Sequence, residues 1–87
     1  MIYGTGEIGQ KVAETFSRFG AEVYGVSLSG KDKKFFREVL PIEGHYSCLG
    51  EMSYLINTLP LTEKTANLFN DKLFSHCSNV GFINVAG

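Results

Sequence analysis

Gly4-Thr5-Gly6-Glu7-Ile8-Gly9 is a G-x-G-x-x-G that follows a short apolar start and opens a helical pattern. In such a turn the first glycine allows the tight reversal from strand to helix. The second lets the backbone approach a pyrophosphate, and the third lets the helix pack closely on the strand. The N-terminus of the helix then offers unpaired N–H groups and the positive end of its dipole to an anion. The stretch reads as a dinucleotide phosphate site on Gly4, Gly6 and Gly9, and its neighbours decide whether that reading stands.

The neighbours agree with it. Ile8, Val12, Phe16 and Phe19 recur at helical spacing among Lys11, Glu14, Ser17 and Arg18, and Gly20 is placed to end the helix. Ala21 to Val26 reads as a strand, which completes the βαβ unit that the glycine pattern requires. Without this context the plain alternative, a glycine turn with no ligand, would weigh more.

Further along, Ser27 to Lys34 is a polar loop. Phe35, Phe36, Val39 and Leu40 fit one face of a helix that Pro41 closes. His45 to Leu49 suggests a short strand and turn. Ser53 to Leu59 predicts a buried strand ending at Pro60, Leu61 to Asn67 a loop, and Asn70 the N-cap of a short helix over Asp71 to His76 with Leu73 and Phe74 inward. Val80 to Val85 closes the series as a last strand, buried over Gly81 to Val85. Alternating strands and helices predict an α/β, Rossmann-type doubly wound parallel sheet. In it the first and fourth strands lie side by side, bringing the Gly4 to Gly9 turn next to the loop Leu59 to Thr65. Both ends read as cut, so residues 1–87 are expected to be a single partial nucleotide-binding domain, incomplete at both ends.

With 87 residues, 44% of them apolar, the chain suits one small folded domain. A formal net charge of −1 and the lack of a like-charge run argue against nucleic acid or a membrane surface as partner. No segment reads as a membrane span or a leader, and Cys48 and Cys77 lie too far apart for a C-x-x-C pair. A soluble, cytoplasmic protein with reduced thiols is expected. His45, Cys48, His76 and Cys77 do not make the paired spacings of a zinc site, so no metal is expected. His76 reads as a helix-end residue suited to the dipole. Phe16, Phe19, Phe35, Phe36 and Phe74 read as core rather than as a stacking platform.

Three blocks, Tyr3 to Gln10 (Y-G-T-G-E-I-G-Q), Asn57 to Asn70 (N-T-L-P-L-T-E-K-T-A-N-L-F-N) and Phe82 to Gly87 (F-I-N-V-A-G), resemble the nucleotide-binding domain of the D-isomer-specific 2-hydroxyacid dehydrogenases. The resemblance covers residues 3–26 and 53–87 well and the stretch between them loosely; P-L-T-x-x-T is its most selective part. It implies that the backbones of Glu7 and Ile8 lie at the pyrophosphate, that Leu59, Pro60 and Thr65 run beside the adenosine half of the cofactor, and that Val85 and Ala86 approach the nicotinamide. It also implies a parent enzyme that transfers a hydride between a nicotinamide and a small 2-hydroxy or 2-oxo acid. The family's arginine, glutamate and histidine for that chemistry are not in this chain, and Gly87 stands where the arginine could be expected. The substrate domain is absent, so this chain alone is not expected to be catalytic. The oligomeric state stays open, a homodimeric parent being one option.

Cofactor choice rests on one missing charge. NAD-binding versions of the fold place an acid at the tip of the second strand, to bond the ribose hydroxyls. Here that tip is Ser27; Glu22 sits at the wrong end and Asp32 lies well into the loop. Ser27, Ser29 and Lys31 offer hydroxyls and a cation to a 2′-phosphate, so NADP is favoured over NAD. The bland alternative is a solvated lysine loop. Two other functions stay in view, a non-catalytic nucleotide-sensing module and a sugar-nucleotide epimerase or reductase. The P-L-T-x-x-T loop and the absence of a Tyr-x-x-x-Lys pair speak against the epimerase.

Overall fold

The computed structural model describes residues 1–60 and 62–85. Along the chain run β1 (Ile2–Tyr3), α1 (Glu7–Arg18), β2 (Tyr24–Ser27), β3 (Glu38–Pro41), a 3₁₀ helix (His45–Glu51), β4 (Tyr54–Asn57), α2 (Glu63–Ala66), α3 (Asp71–Ser75) and β5 (Gly81–Asn84). The strands make one five-stranded sheet in the order β3-β2-β1-β4-β5, with every pairing parallel. The chain steps outward from β1 through β2 to β3, then crosses to β4 and β5. The first and fourth strands are adjacent as expected, with Ile2 opposite Ile56 and Tyr3 opposite Asn57. Loops leaving β1 and β4 depart in opposite directions there, which opens a crevice at the carboxyl edge of the sheet.

Strand alternation sorts the core into two layers. Ile2 and Ile56 meet Ala13 of α1 and Val23 on one side. Tyr3, Val26 and Leu55 meet Leu49 of the 3₁₀ helix and Leu73 of α3 on the other. Helix α1 stops as predicted: the N–H groups of Phe19 and Gly20 bond to Phe16 and Ser17 carbonyls at 3.1 and 3.0 Å, and Gly20 takes φ +87°. Asn70 caps α3 as predicted, its side chain accepting from Leu73 N at 2.9 Å, and Leu73 is fully buried.

Several expectations are corrected. Phe35 to Leu40 is not a helix. Phe35 takes φ +73°, which interrupts any helical run, and Val39 alone of Glu38–Pro41 is buried as β3. Four apolar residues in six positions fit a helix face or a strand equally, and pairing with β2 decides between them. Pro41 is then the last residue of an edge strand, a position that tolerates the missing N–H. His45 to Leu49 is part of the 3₁₀ helix rather than a strand and turn, entered through Gly44 at φ +101°. The expected loop at 61–67 contains α2, closed by a reciprocal cap: Thr65 N bonds Thr62 Oγ1 at 3.3 Å and Thr62 N bonds Thr65 Oγ1 at 2.8 Å.

On α1 the buried face is Gly9 and Ala13, whereas Ile8 is 58% exposed and Phe19 is 85% exposed. The closest approach of helix to sheet selects the smallest side chains, which shifts the buried stripe one residue from the largest ones. Phe16 and Phe35 are likewise exposed; of the five phenylalanines expected inside, Phe36 and Phe74 pack against the core. Strand β5 pairs only with β4, and its Phe82 and Ile83 are each 43% exposed, so it is not buried among the described residues.

Candidate functional site

The glycine turn is built by two of its glycines and left open by the third. Gly4 has φ +99°, donates its N–H to Val26 O at 2.9 Å, and would place a Cβ 2.5 Å from Thr58 Oγ1. A Cβ on Gly9 would run into the Gly4 carbonyl oxygen, so the start of α1 touches the turn backbone directly. Gly6 differs. Its φ is −76°, open to any residue, and nothing lies within 4 Å of the Cβ it lacks. Gly6 is also the N-cap of α1 and supplies no capping side chain. The first-turn N–H groups from Glu7 to Gly9 therefore have no side-chain partner from the cap, and they adjoin open space.

The loop after β4 is tied to this turn. Thr58 donates its N–H to Tyr3 O at 2.9 Å and its hydroxyl to Tyr3 O at 2.7 Å, with Gly4 O 3.2 Å away. Leu59 N–H bonds Asn57 Oδ1 at 3.0 Å, and Thr65 Oγ1 donates to Pro60 O at 2.6 Å. The two threonines of T-x-x-T thus shape the loop as well as edge the crevice. Across the crevice, Ser27 Oγ accepts from Gly30 N at 3.0 Å and Ser29 Oγ from Lys31 N at 3.3 Å. Both hydroxyls brace the turn after β2, and each keeps its own proton to donate.

A cleft of about 770 Å³ joins these loops, within the size range of small-molecule sites. Of the residues selected from sequence, Gly4, Gly6, Glu7, Ile8, Gly9, Ser27, Ser29, Leu59, Pro60 and Thr65 line it. Lys31 and Val85 are exposed and are not among the described lining residues. Ala86 lies outside the described residues. The cleft adds Thr5, Leu28, Ile42, Thr58 and Thr62, which sequence reasoning missed. Ile42 was hidden by the misassigned helix before it; once β3 is placed, the residue after its end falls on the carboxyl edge. Leu28, 87% exposed, and Ile42 give the cleft apolar wall beyond the strand tip.

A second cavity, of about 350 Å³, lies at the amino edge of the sheet among Ile2, Phe16, Tyr24, Met52 and Tyr54, away from the glycine turn. Among the described residues no group of three or more His, Cys, Asp or Glu side chains is placed to hold a metal, and Cys48 and Cys77 are free thiols. No helix of the described residues is long and apolar enough to cross a membrane. Behind the sheet, His45 is fully buried, its Nδ1 donating to Ile42 O at 2.6 Å and its Nε2 accepting from the Tyr3 hydroxyl at 2.8 Å. Burial lowers the His45 pKa, against the opposing pull of the Ile42 bond. Burial first, then Cys77 and Tyr46, pushes the Tyr3 phenol well above the usual tyrosine range. The pair is a neutral hydrogen-bonded unit of the core.

Comparison with known proteins matches this geometry. The family model described as "D-isomer specific 2-hydroxyacid dehydrogenase, NAD binding domain" matches residues 1–87. A curated relative, glyoxylate/hydroxypyruvate reductase A of Serratia proteamaculans (strain 568), is 35% identical over 75 residues, 86% of this chain and 24% of that protein. Among solved structures, phosphoglycerate dehydrogenase from Lactobacillus plantarum superposes with a TM-score of 0.92 at 35% identity, covering 98% of this chain and 28% of that one. The NADPH-dependent glyoxylate/hydroxypyruvate reductase from Sinorhizobium meliloti, in complex with NADP and sulfate, gives a TM-score of 0.85 at 32% identity, with 98% and 28% covered. The chain spans about a quarter of the length of these relatives.

Proposed function

This chain belongs to the D-isomer specific 2-hydroxyacid dehydrogenase family as its NAD-binding domain, and on that footing we propose that it is the NADP(H)-holding part of a reductase for a small 2-oxo acid. Residues 1–87 would be one partial nucleotide-binding domain, with the substrate-binding and proton-transferring groups supplied by the remainder of the parent. The observation that carries the reading is the convergence, at the β1/β4 switch point, of an uncapped helix N-terminus and an open Gly6 with the P-L-T-x-x-T loop.

The residues fit a dinucleotide. Open space over Gly6 admits a pyrophosphate, and the backbone N–H groups at Glu7 and Ile8 are its donors. Leu59, Pro60 and Thr65 flank the adenosine half, while Val85 leads toward the nicotinamide half. When bound, the cofactor supplies a hydride from its nicotinamide ring; this chain's own residues bind, orient and exclude water. Preference for NADPH follows from Ser27 at the strand tip. No carboxylate there repels a 2′-phosphate, and the hydroxyls of Ser27 and Ser29 with the nearby Lys31 cation receive it. The relative from Sinorhizobium meliloti, described as NADPH-dependent, supports this choice.

The test is the pair of dissociation constants for NADH and NADPH, by calorimetry, in wild type and Ser27→Asp. An aspartate at 27 still accepts the Gly30 N–H bond, so the loop keeps its shape. Loss of a charge-assisted contact moves affinity by roughly one to two powers of ten, and the preference should invert toward NADH. A wild-type protein that binds NADH as well as NADPH, or better, overturns the preference; one that binds neither overturns the site.

A further inference from the structure

The side chain of Asn57 stands where the loop after β4 meets the end of β5. Asn57 is the last residue of β4 and is 8% exposed. The orientation of its amide follows from chemistry: the Leu59 N–H facing it at 3.0 Å can only donate, so the atom presented there is Oδ1. The amide nitrogen is then turned toward β5, where Nδ2 donates to Asn84 Oδ1 at 3.1 Å. The Asn57 backbone carbonyl accepts from Val85 N at 2.9 Å. Asn57 and Asn84 are also the final register pair of the β4/β5 ladder. Beyond this pair the chain continues at Thr58 and Leu59, which line the cleft, and at Val85.

Resting on the dinucleotide reading above, we infer that Asn57 and Asn84 form a positioning clamp that holds Val85, on the nicotinamide side, in register with Leu59 and Pro60 on the adenosine side. One side chain joins both: its Oδ1 accepts from Leu59 N, and its Nδ2, 3.5 Å from Leu59 O, donates at shorter range to Asn84 at the end of β5. An apolar residue at either position leaves the strand ladder intact but removes this tie. Neither asparagine touches the cofactor in this account; both act through the loops they join.

Two nucleotides separate this role from a merely structural one: adenosine 2′,5′-bisphosphate, the adenosine half alone, and NADPH, which spans the cleft. Asn84 is exposed, so Asn84→Ala leaves the fold in place. It should weaken NADPH binding about tenfold, the range of one lost hydrogen bond, and change bisphosphate binding less than twofold. Asn84→Asp keeps an acceptor facing Asn57 Nδ2 and should restore NADPH binding to within threefold of wild type. Equal weakening of both nucleotides, no weakening of either, or failure of the aspartate to rescue overturns the clamp. A wild-type protein that binds NADPH no more tightly than the bisphosphate also overturns it, because no nicotinamide-side contact then exists to be placed. Wild type binding neither nucleotide instead overturns the proposed function.

Discussion

Two glycines of the same turn should separate ligand binding from folding. At Gly6 the added side chain enters open space and φ is ordinary, so Gly6→Val has nothing to collide with in the protein. Valine is a poorer N-cap than glycine by about 0.5–1 kcal/mol, while restricting the unfolded chain returns about 0.4–1 kcal/mol, so the melting temperature should stay within a few degrees. The same side chain fills the room over the first turn of α1. Displacing a pyrophosphate from even two backbone donors, at about 1.5–3 kcal/mol each for charge-assisted bonds, costs at least roughly a hundredfold in affinity. At Gly9 even one methyl overlaps the Gly4 carbonyl oxygen, and the helix must move off the turn. Such overpacking costs about 1–3 kcal/mol or more, and in a domain this small each kilocalorie lowers the melting temperature by about 4–8 °C. Thermal melts followed by circular dichroism, with calorimetric titration of NADPH, test both arms. Gly6→Val binding NADPH like wild type, or melting as low as Gly9→Ala, refutes the assignment of the cleft.

His45 has a lowered folded pKa, so the unfolded chain takes up its proton first as the solution is acidified. Its contribution is complete above the ordinary histidine pKa of about 6.5 and is lost as pH falls below it, by up to about 1.4 kcal/mol per pH unit. Melting temperatures between pH 7.5 and 5.5 should therefore decline in wild type and decline less in His45→Asn; parallel curves would contradict this. Thr58→Val removes the hydroxyl bond to Tyr3 O and leaves a bulkier methyl against Gly4, so urea denaturation should show a loss of about 1–2 kcal/mol, with an unchanged midpoint counting against the tie between the loops. Asn70→Ala removes the cap on α3 and should cost about 1 kcal/mol in the same assay, whereas Asn70→Asp should not.

Much of this protein was legible in one dimension because its decisive signals are local. A glycine with positive φ, a helix that needs an open N-terminus, and a cap such as Asn70 each depend on a few consecutive residues, so Gly4 to Gly9, the end of α1 at Gly20 and the start of α3 can be read directly. The P-L-T-x-x-T stretch was equally plain, although the capping box by which Thr62 and Thr65 make α2 was overlooked: threonine there replaces the usual glutamate. Phe35 to Pro41 could not be assigned this way. Its apolar spacing suits a helix or a strand, and only hydrogen bonding to β2 makes it β3 and brings Ile42 to the cleft. Which face of α1 is buried was likewise a tertiary matter. Contact with the turn demands Gly9, contact with the sheet demands Ala13, and Ile8 and Phe19 are left outside, against the order that hydrophobicity alone suggests. The amino-acid sequence by itself determined the elements that need only their own neighbours. The joining of Thr58 to Tyr3 and of Asn57 to Asn84 was decided by the tertiary structure, because hydrogen bonds between residues far apart in the chain exist only once the sheet has aligned their strands.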